Sequence, residues 1–174
     1  MDQTIWIACD HGGYLLKKEI MKYLEEQAVP FHDCGTDSEE IVRYPYYANA
    51  VASAVSQGRI ARGILLCSTG VGMSIAANKY PHVRASLCTS PTIAHLTRAH
   101  NDSNILCLGG KITGVMKALA ILKEWLHTDY EGGRHDISLG LLRESEKVLC
   151  SGRSWEPKLA PEDGKKELQC EKDR

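Results

Sequence analysis

Apolar positions along the chain follow two alternating periods. Five short apolar or β-branched runs stand out: TIWIACD (4–10), PFHDC (30–34), ARGILLC (61–67), VRASLC (83–88) and NILCLG (104–109). Each has the length of a buried strand. Between the runs the spacing becomes helical. Residues 14–27 set Leu15, Leu16, Ile20, Tyr23 and Leu24 on one face with charges opposite. Pro45 suits a first helical turn, and the segment it opens ends on Gly58. Residues 71–80, 91–100 and 112–126 continue the alternation, and a last helix is expected over about 136–149.

Strand followed by helix, five times over, predicts an α/β fold: a Rossmann-like three-layer sandwich with a five-stranded parallel sheet, then a C-terminal helix and tail. Right-handed crossovers bring the carboxyl ends of the strands to one edge, where such sheets bind ligands. Asp10, Cys67 and the Asn101–Asp102 region are expected on or near that edge. From Ser151 the composition turns to charge, Pro and Gly, so residues 1–150 read as the domain and 151–174 as a polar tail. The tail is expected to be disordered or draped over a neighbour, with Trp155 as its one aromatic anchor.

Composition narrows the function classes. The chain has 174 residues, 43% of them hydrophobic, and a formal net charge of −1. That balance offers no basic surface for nucleic acid or anionic lipid. No apolar run approaches the roughly 20 residues of a membrane helix, and the N-terminus enters a strand pattern without a basic flank or cleavage signature. A soluble cytoplasmic protein is expected. The seven cysteines are odd in number and contain no CxxC pair, which argues against a disulfide framework or a zinc site. Most of them read as small buried hydrophobes in a reduced protein.

One segment suggests chemistry. In ILLCSTGVGMSIAANK (64–79) a strand ends on Cys67 and passes through a glycine-rich turn into a helix. A dinucleotide fingerprint would need a third Gly where Ile75 stands, and a P-loop would need a second Gly and a Lys that are not placed. A cysteine-dependent phosphatase loop would need its phosphate-binding Arg where Met73 stands. A more general reading survives. Gly70 and Gly72 allow a tight turn whose N–H groups, at the start of a helix, stabilise a negative oxygen. The same field favours a thiolate. Cys67 is then either a base beside an oxyanion site or a structural thiol.

Six segments together carry a family resemblance: CDHGGYLLK (9–17), CGTDS (34–38), RYPYYA (43–48), the turn segment, HNDSN (100–104) and YEGGRH (130–135). In order and spacing, from about residue 4 to 148, the chain resembles the type B ribose-5-phosphate isomerases and their galactose-6-phosphate isomerase relatives. The resemblance implies an aldose–ketose isomerase without metal or cofactor. It also implies a homodimer whose sites are lined by both subunits; whether dimers pair into tetramers stays open. A proton would move between C1 and C2 through a cis-enediolate, with Cys67 as base and the turn from Ser68 through Gly70 and Val71 to Gly72 holding the oxyanion. Thr69 matches a hydroxyl implicated in proton transfer. Asp10 and His100 match the pair that opens the sugar ring, Asn101 a substrate-contacting amide, and Tyr44 a segment lining the site. His11 and Arg134 match residues near the phosphate.

Each of these residues also has a structural reading. Asp10 could cap a helix, His100 could serve as a C-terminal helix cation, Asn101 as a turn former and Arg134 as a solvated charge. The chain also departs from the family pattern. Arg43 and Tyr46 replace acids, Ser138 stands where a second phosphate-binding Arg is common, Lys111 replaces an Arg, and Ser68 replaces a Gly. Either Arg43 or Lys111 takes over the phosphate, or the substrate is another one: a tetrose or hexose phosphate, a sugar acid or a free sugar. The rival class is a non-catalytic, flavodoxin-like module that uses the turn only to hold an anion.

Overall fold

The computed structural model describes residues 3–157, and the predicted strands and helices are present in the predicted order. They are β1 (Ile5–Cys9), α1 (Tyr14–Glu26), β2 (Phe31–Asp33), α2 (Tyr44–Ser56), β3 (Gly63–Cys67), α3 (Val71–Ala77), β4 (Ala85–Leu87), α4 (Pro91–Asn101), β5 (Ile105–Gly109), α5 (Val115–His127) and α6 (Arg134–Cys150). The sheet is parallel throughout, in the order β2-β1-β3-β5-β4. Its twofold side-chain alternation sorts the core. Ile64 and Leu66 face α1 and α5 with Leu16, Ile20, Leu24, Ile121 and Trp125. Leu65 and Cys67 face α2 and α3 with Val51, Val55, Met73 and Ala77. Strands buried on both faces read as continuous apolar runs, which is why the sequence showed runs rather than alternation.

Three boundaries differ from expectation, each for a local reason. Helix α3 stops at Ala77 because the Asn78 amide donates to Ser74 O at 2.9 Å and to Ala85 O at 2.8 Å, tying the helix end to β4. Helix α5 starts at Val115 because the amides of Ile112 and Thr113 turn back onto Gly109 O. Helix α6 begins at Arg134, directly after two glycines with positive φ. Leu15, expected on the buried face of α1, is 61% exposed. Lys17 is instead buried there, its ammonium donating to Asp33 at 2.6 Å and to Thr36 O at 2.7 Å.

The chain separates into two compact units, one reaching Leu139 and the other starting at Gly140. Within the second, Trp155 Nε1 donates to Glu144 Oε1 at 3.4 Å. The rest of the expected tail, residues 158–174, lies outside the described residues. Among the described residues no helix is long and apolar enough to cross a membrane.

Candidate active site

After β1 the chain goes outward to β2, then returns to the other side of β1 to form β3. This reversal is the topological switch point where open α/β sheets bind ligands. The two strands that flank it deliver Asp10 and Cys67. Cys9 pairs in register with Leu66, and the Asp10 amide donates to Leu66 O at 3.1 Å. The two candidate side chains thus emerge from adjacent strand ends, each only 5% exposed. Asp10 Oδ1 accepts from the Gly12 amide at 2.9 Å, so the carboxylate also shapes its own turn.

Cys67 sits at the lip of the glycine-rich turn. Gly70 adopts φ +78° as the N-cap of α3, and its amide donates to Cys67 Sγ at 3.1 Å. Three other thiols are arranged the opposite way. Cys9, Cys34 and Cys88 donate S–H to the carbonyls of Thr36, Ile7 and Ser86. Burial pushes Cys9 and Cys88 up to about 12 and Cys34 to about 11, and moves Cys107 in the same direction. A sulfur that accepts an amide N–H is stabilised as thiolate, whereas one that donates to a carbonyl is stabilised as thiol. Of Cys9, Cys34, Cys67 and Cys88, only Cys67 accepts from a backbone amide in this way.

Neighbouring loops close around the turn. The Gly110 amide donates to Cys67 O at 2.7 Å and the Lys111 amide to Ser68 O at 3.0 Å, which sets Lys111 beside the turn. Thr69 is exposed, with its Oγ1 accepting from the Val71 amide at 3.4 Å. Tyr44, at the start of α2, lays its ring against Gly72: a Cβ there would come within 3.0–3.2 Å of the ring. His11 Nδ1 accepts from the Val42 amide at 3.4 Å, joining the β1 loop to the segment that carries exposed Arg43. A cleft of about 550 Å³ opens on the same edge, lined by Leu15, Lys18, Lys111, Ile112 and Val115 among others. Cys67 and Thr69 do not line it.

The remaining predicted residues lie elsewhere, which corrects the expectation for Asn101–Asp102. Helix α4 runs antiparallel to the strands, so its last residues reach the amino edge. There Asn104 O accepts from the amide of Gly63, the first residue of β3. At about 3.3 Å per residue, β3 alone puts about 13 Å between that edge and Cys67. His100 and Asn101 therefore stand apart from the thiol of their own chain. Asn101 is exposed, and its carbonyl accepts from Arg84 Nε at 2.9 Å. Asp102, in a left-handed conformation, pairs with Arg84 and Arg98 and ends the helix.

Arg134 and two residues that the sequence reading did not single out join His100 at this second edge. The Glu131 amide donates to Ala99 O at 3.0 Å. Its carboxylate lies 3.9 Å from His100 Nε2 and 3.5 Å from His135 Nε2. The two imidazoles stack at 4.2 Å with planes 15° apart, and exposed Arg134 donates from Nε to His135 Nε2 at 3.5 Å. The candidate ligand atoms of His100, Glu131 and His135 fall within 4.8 Å of one another. Stacked rings, however, point their in-plane lone pairs side by side rather than at one ion, and the Arg134 cation opposes another. The signal for Glu131 and His135 was present in YEGGRH. It was missed because nothing in the sequence says that this loop packs on the end of α4.

Comparison with known proteins gives one result throughout. The model of the ribose/galactose isomerase family matches residues 5–141. Ribose-5-phosphate isomerase B of Escherichia coli K12 is 49% identical over 133 residues, covering 76% of this chain and 89% of that protein. A putative sugar phosphate isomerase of Bacillus subtilis is 42% identical, covering 81% and 95%. The structure of Clostridium thermocellum ribose-5-phosphate isomerase B superposes with a TM-score of 0.81 at 46% identity, covering 83% of this chain and 97% of that one. That of the Mycoplasma genitalium enzyme with bound ribulose-5-phosphate gives 0.80 at 35% identity, covering 84% and 98%.

Proposed function

Because the chain belongs to the ribose/galactose isomerase family and is an aldose–ketose isomerase, we propose that it converts ribose 5-phosphate to ribulose 5-phosphate with Cys67 as the base. The observation that carries this reading is the Gly70 amide held on Cys67 Sγ, at a strand end adjacent to the one that leads into Asp10. Removing the proton α to a carbonyl needs a base and a place for the resulting oxyanion. Cys67 takes the C2 proton of the open-chain aldose and returns it to C1. The amides of the 68–72 turn hold the enediolate oxygen between the two steps, and Thr69 relays the hydroxyl proton. Asp10, together with His100 from the far edge, opens the ring. His11, Arg43 and Lys111 receive the phosphate from one chain, and Arg134 from the other.

This division of labour requires a homodimer, since His100, Asn101 and Arg134 stand on the edge opposite Cys67. Each site then joins the carboxyl edge of one copy to the amino edge of the second. The six free cysteines among the described residues suit the reducing cytosol.

A second reading of the substrate rests on Ser138 and Lys111, both exposed, where family members often carry arginines. Each missing charge-assisted bond to phosphate is worth about 1.5–3 kcal/mol, so a tetrose or hexose phosphate remains the alternative. Purified protein mixed with ribose 5-phosphate should form ketose, and Cys67→Ala should cut the rate about 10³-fold while the circular dichroism spectrum is kept. Folded protein without turnover would shift the assignment to the other sugar phosphates. An unimpaired Cys67→Ala would remove the thiol as base.

A further inference from the structure

Under the reading above His100 helps to open the sugar ring, but as a single side chain on a helix end it has little to fix its ring plane. Its side chain is 33% exposed at the last turn of α4. The structure surrounds it with a built support. The loop after α5 returns to α4 through the hydrogen bond that the Glu131 amide donates to Ala99 O. It thereby sets a carboxylate near Nε2 and, one helical turn later, the His135 imidazole flat against the His100 ring. His135 is the less exposed of the two, with a side chain 15% exposed, and its Nε2 lies 3.5 Å from both Glu131 Oε2 and Arg134 Nε. Around this pair, the charged groups on the elements that meet here are Glu131, Arg134 and Asp136 on one side, and Arg98 and Asp102 of α4 with Arg84 on the other.

We propose that Glu131 and His135 are positioning residues for His100, the stacked imidazole fixing the plane of its ring and the carboxylate fixing which way its Nε2 points. This inference rests on the role given to His100 above. Stacking leaves the ring two flipped settings that share one plane, and the carboxylate favours the one that brings Nε2 towards it. Holding an acid–base group within a narrow cone is worth orders of magnitude in rate, because misplacement by about 1 Å can cost about 10²-fold. Neither residue needs to touch the sugar. Arg134, at the phosphate by resemblance, is bonded to His135, so seating the phosphate and orienting the ring-opening group use one connected set of side chains.

The test separates ring opening from binding. Ribitol 5-phosphate is acyclic and cannot close a ring, so its inhibition constant reports the site without the ring-opening step. Glu131→Gln and His135→Ala are each expected to lower kcat for ribose 5-phosphate about tenfold or more. KM for that substrate and the inhibition constant for ribitol 5-phosphate should stay within twofold. His135→Phe keeps the stacking face and should retain at least half of the wild-type kcat. Glu131→Gln and His135→Ala at wild-type kcat would overturn the proposal. So would a loss of kcat matched by an equal loss of ribitol 5-phosphate affinity, which would make the pair binding groups. The parallel His100→Ala variant distinguishes the two levels: if it too is unimpaired, the role of His100 fails, whereas if it alone is impaired, only the positioning role fails.

Discussion

At the scale of single residues, the site depends on one backbone conformation. Gly70 must reach φ +78° for its amide to point at Cys67 Sγ. A Cβ there would lie 2.6 Å from Leu87 Cδ1 and 2.9 Å from the backbone carbon of Leu108. Gly70→Ala therefore incurs left-handed strain of roughly 1–2 kcal/mol together with a clash against fixed backbone. It should lower kcat far more than it raises KM, and it should also lower the urea midpoint. Wild-type kcat in this variant would mean that the amide does not serve the thiol. The cysteines show how far residue type can mislead. Cys9, Cys67 and Cys88 look alike in sequence, each ending an apolar run, and the apolar run says nothing about which sulfur donates and which accepts. Only the path of the turn after β3 decides it.

At the scale of elements, the chain was legible where periodicity and turn chemistry agree. The strands, the helix order and the Pro-led starts of α2 and α4 follow from local pattern. Lys17 was not legible: on a helical wheel it is one charge among several. It is buried because the end of β2 supplies Asp33, and the loop after it Thr36 O, across from it. Removing one partner of a buried pair typically costs about 3–5 kcal/mol, and the partial exposure of Asp33 places this case near the lower end. Lys17→Met should thus lower Tm by about 6–12 °C while kcat per folded molecule is kept. An unchanged melting curve would show that the pair contributes nothing. The direction of α4 was the other element-scale miss. Sequence spacing put HNDSN near the catalytic edge, but a crossover helix runs back against its strands, so its end belongs to the opposite edge.

At the scale of the whole molecule, two properties follow. The buried thiols couple folding to alkaline pH. Cys9 and Cys88 hold their protons to about 12 and Cys34 to about 11 when folded, against an ordinary value of 9.0. Below pH 9 both folded and unfolded chains keep these protons. Above it the unfolded chain releases them first, so this share of stability is lost as pH rises from about 9 towards about 12. Urea midpoints should fall across that window, and Cys88→Ala should flatten the slope; an identical slope in the variant would assign the loss to other groups. The second property is the one on which the functional reading depends. Cys67 and His100 stand on opposite edges of one chain, a separation periodicity alone did not show, so the proposed site needs the second copy that the family resemblance implies. The most direct measurement mixes two inactive variants, Cys67→Ala and His100→Ala, after subunit exchange. Shared sites predict recovery to about a quarter of wild-type turnover, since half of the dimers are mixed and each mixed dimer holds one intact site. A mixture as inactive as its separate components would contradict a site built from two chains.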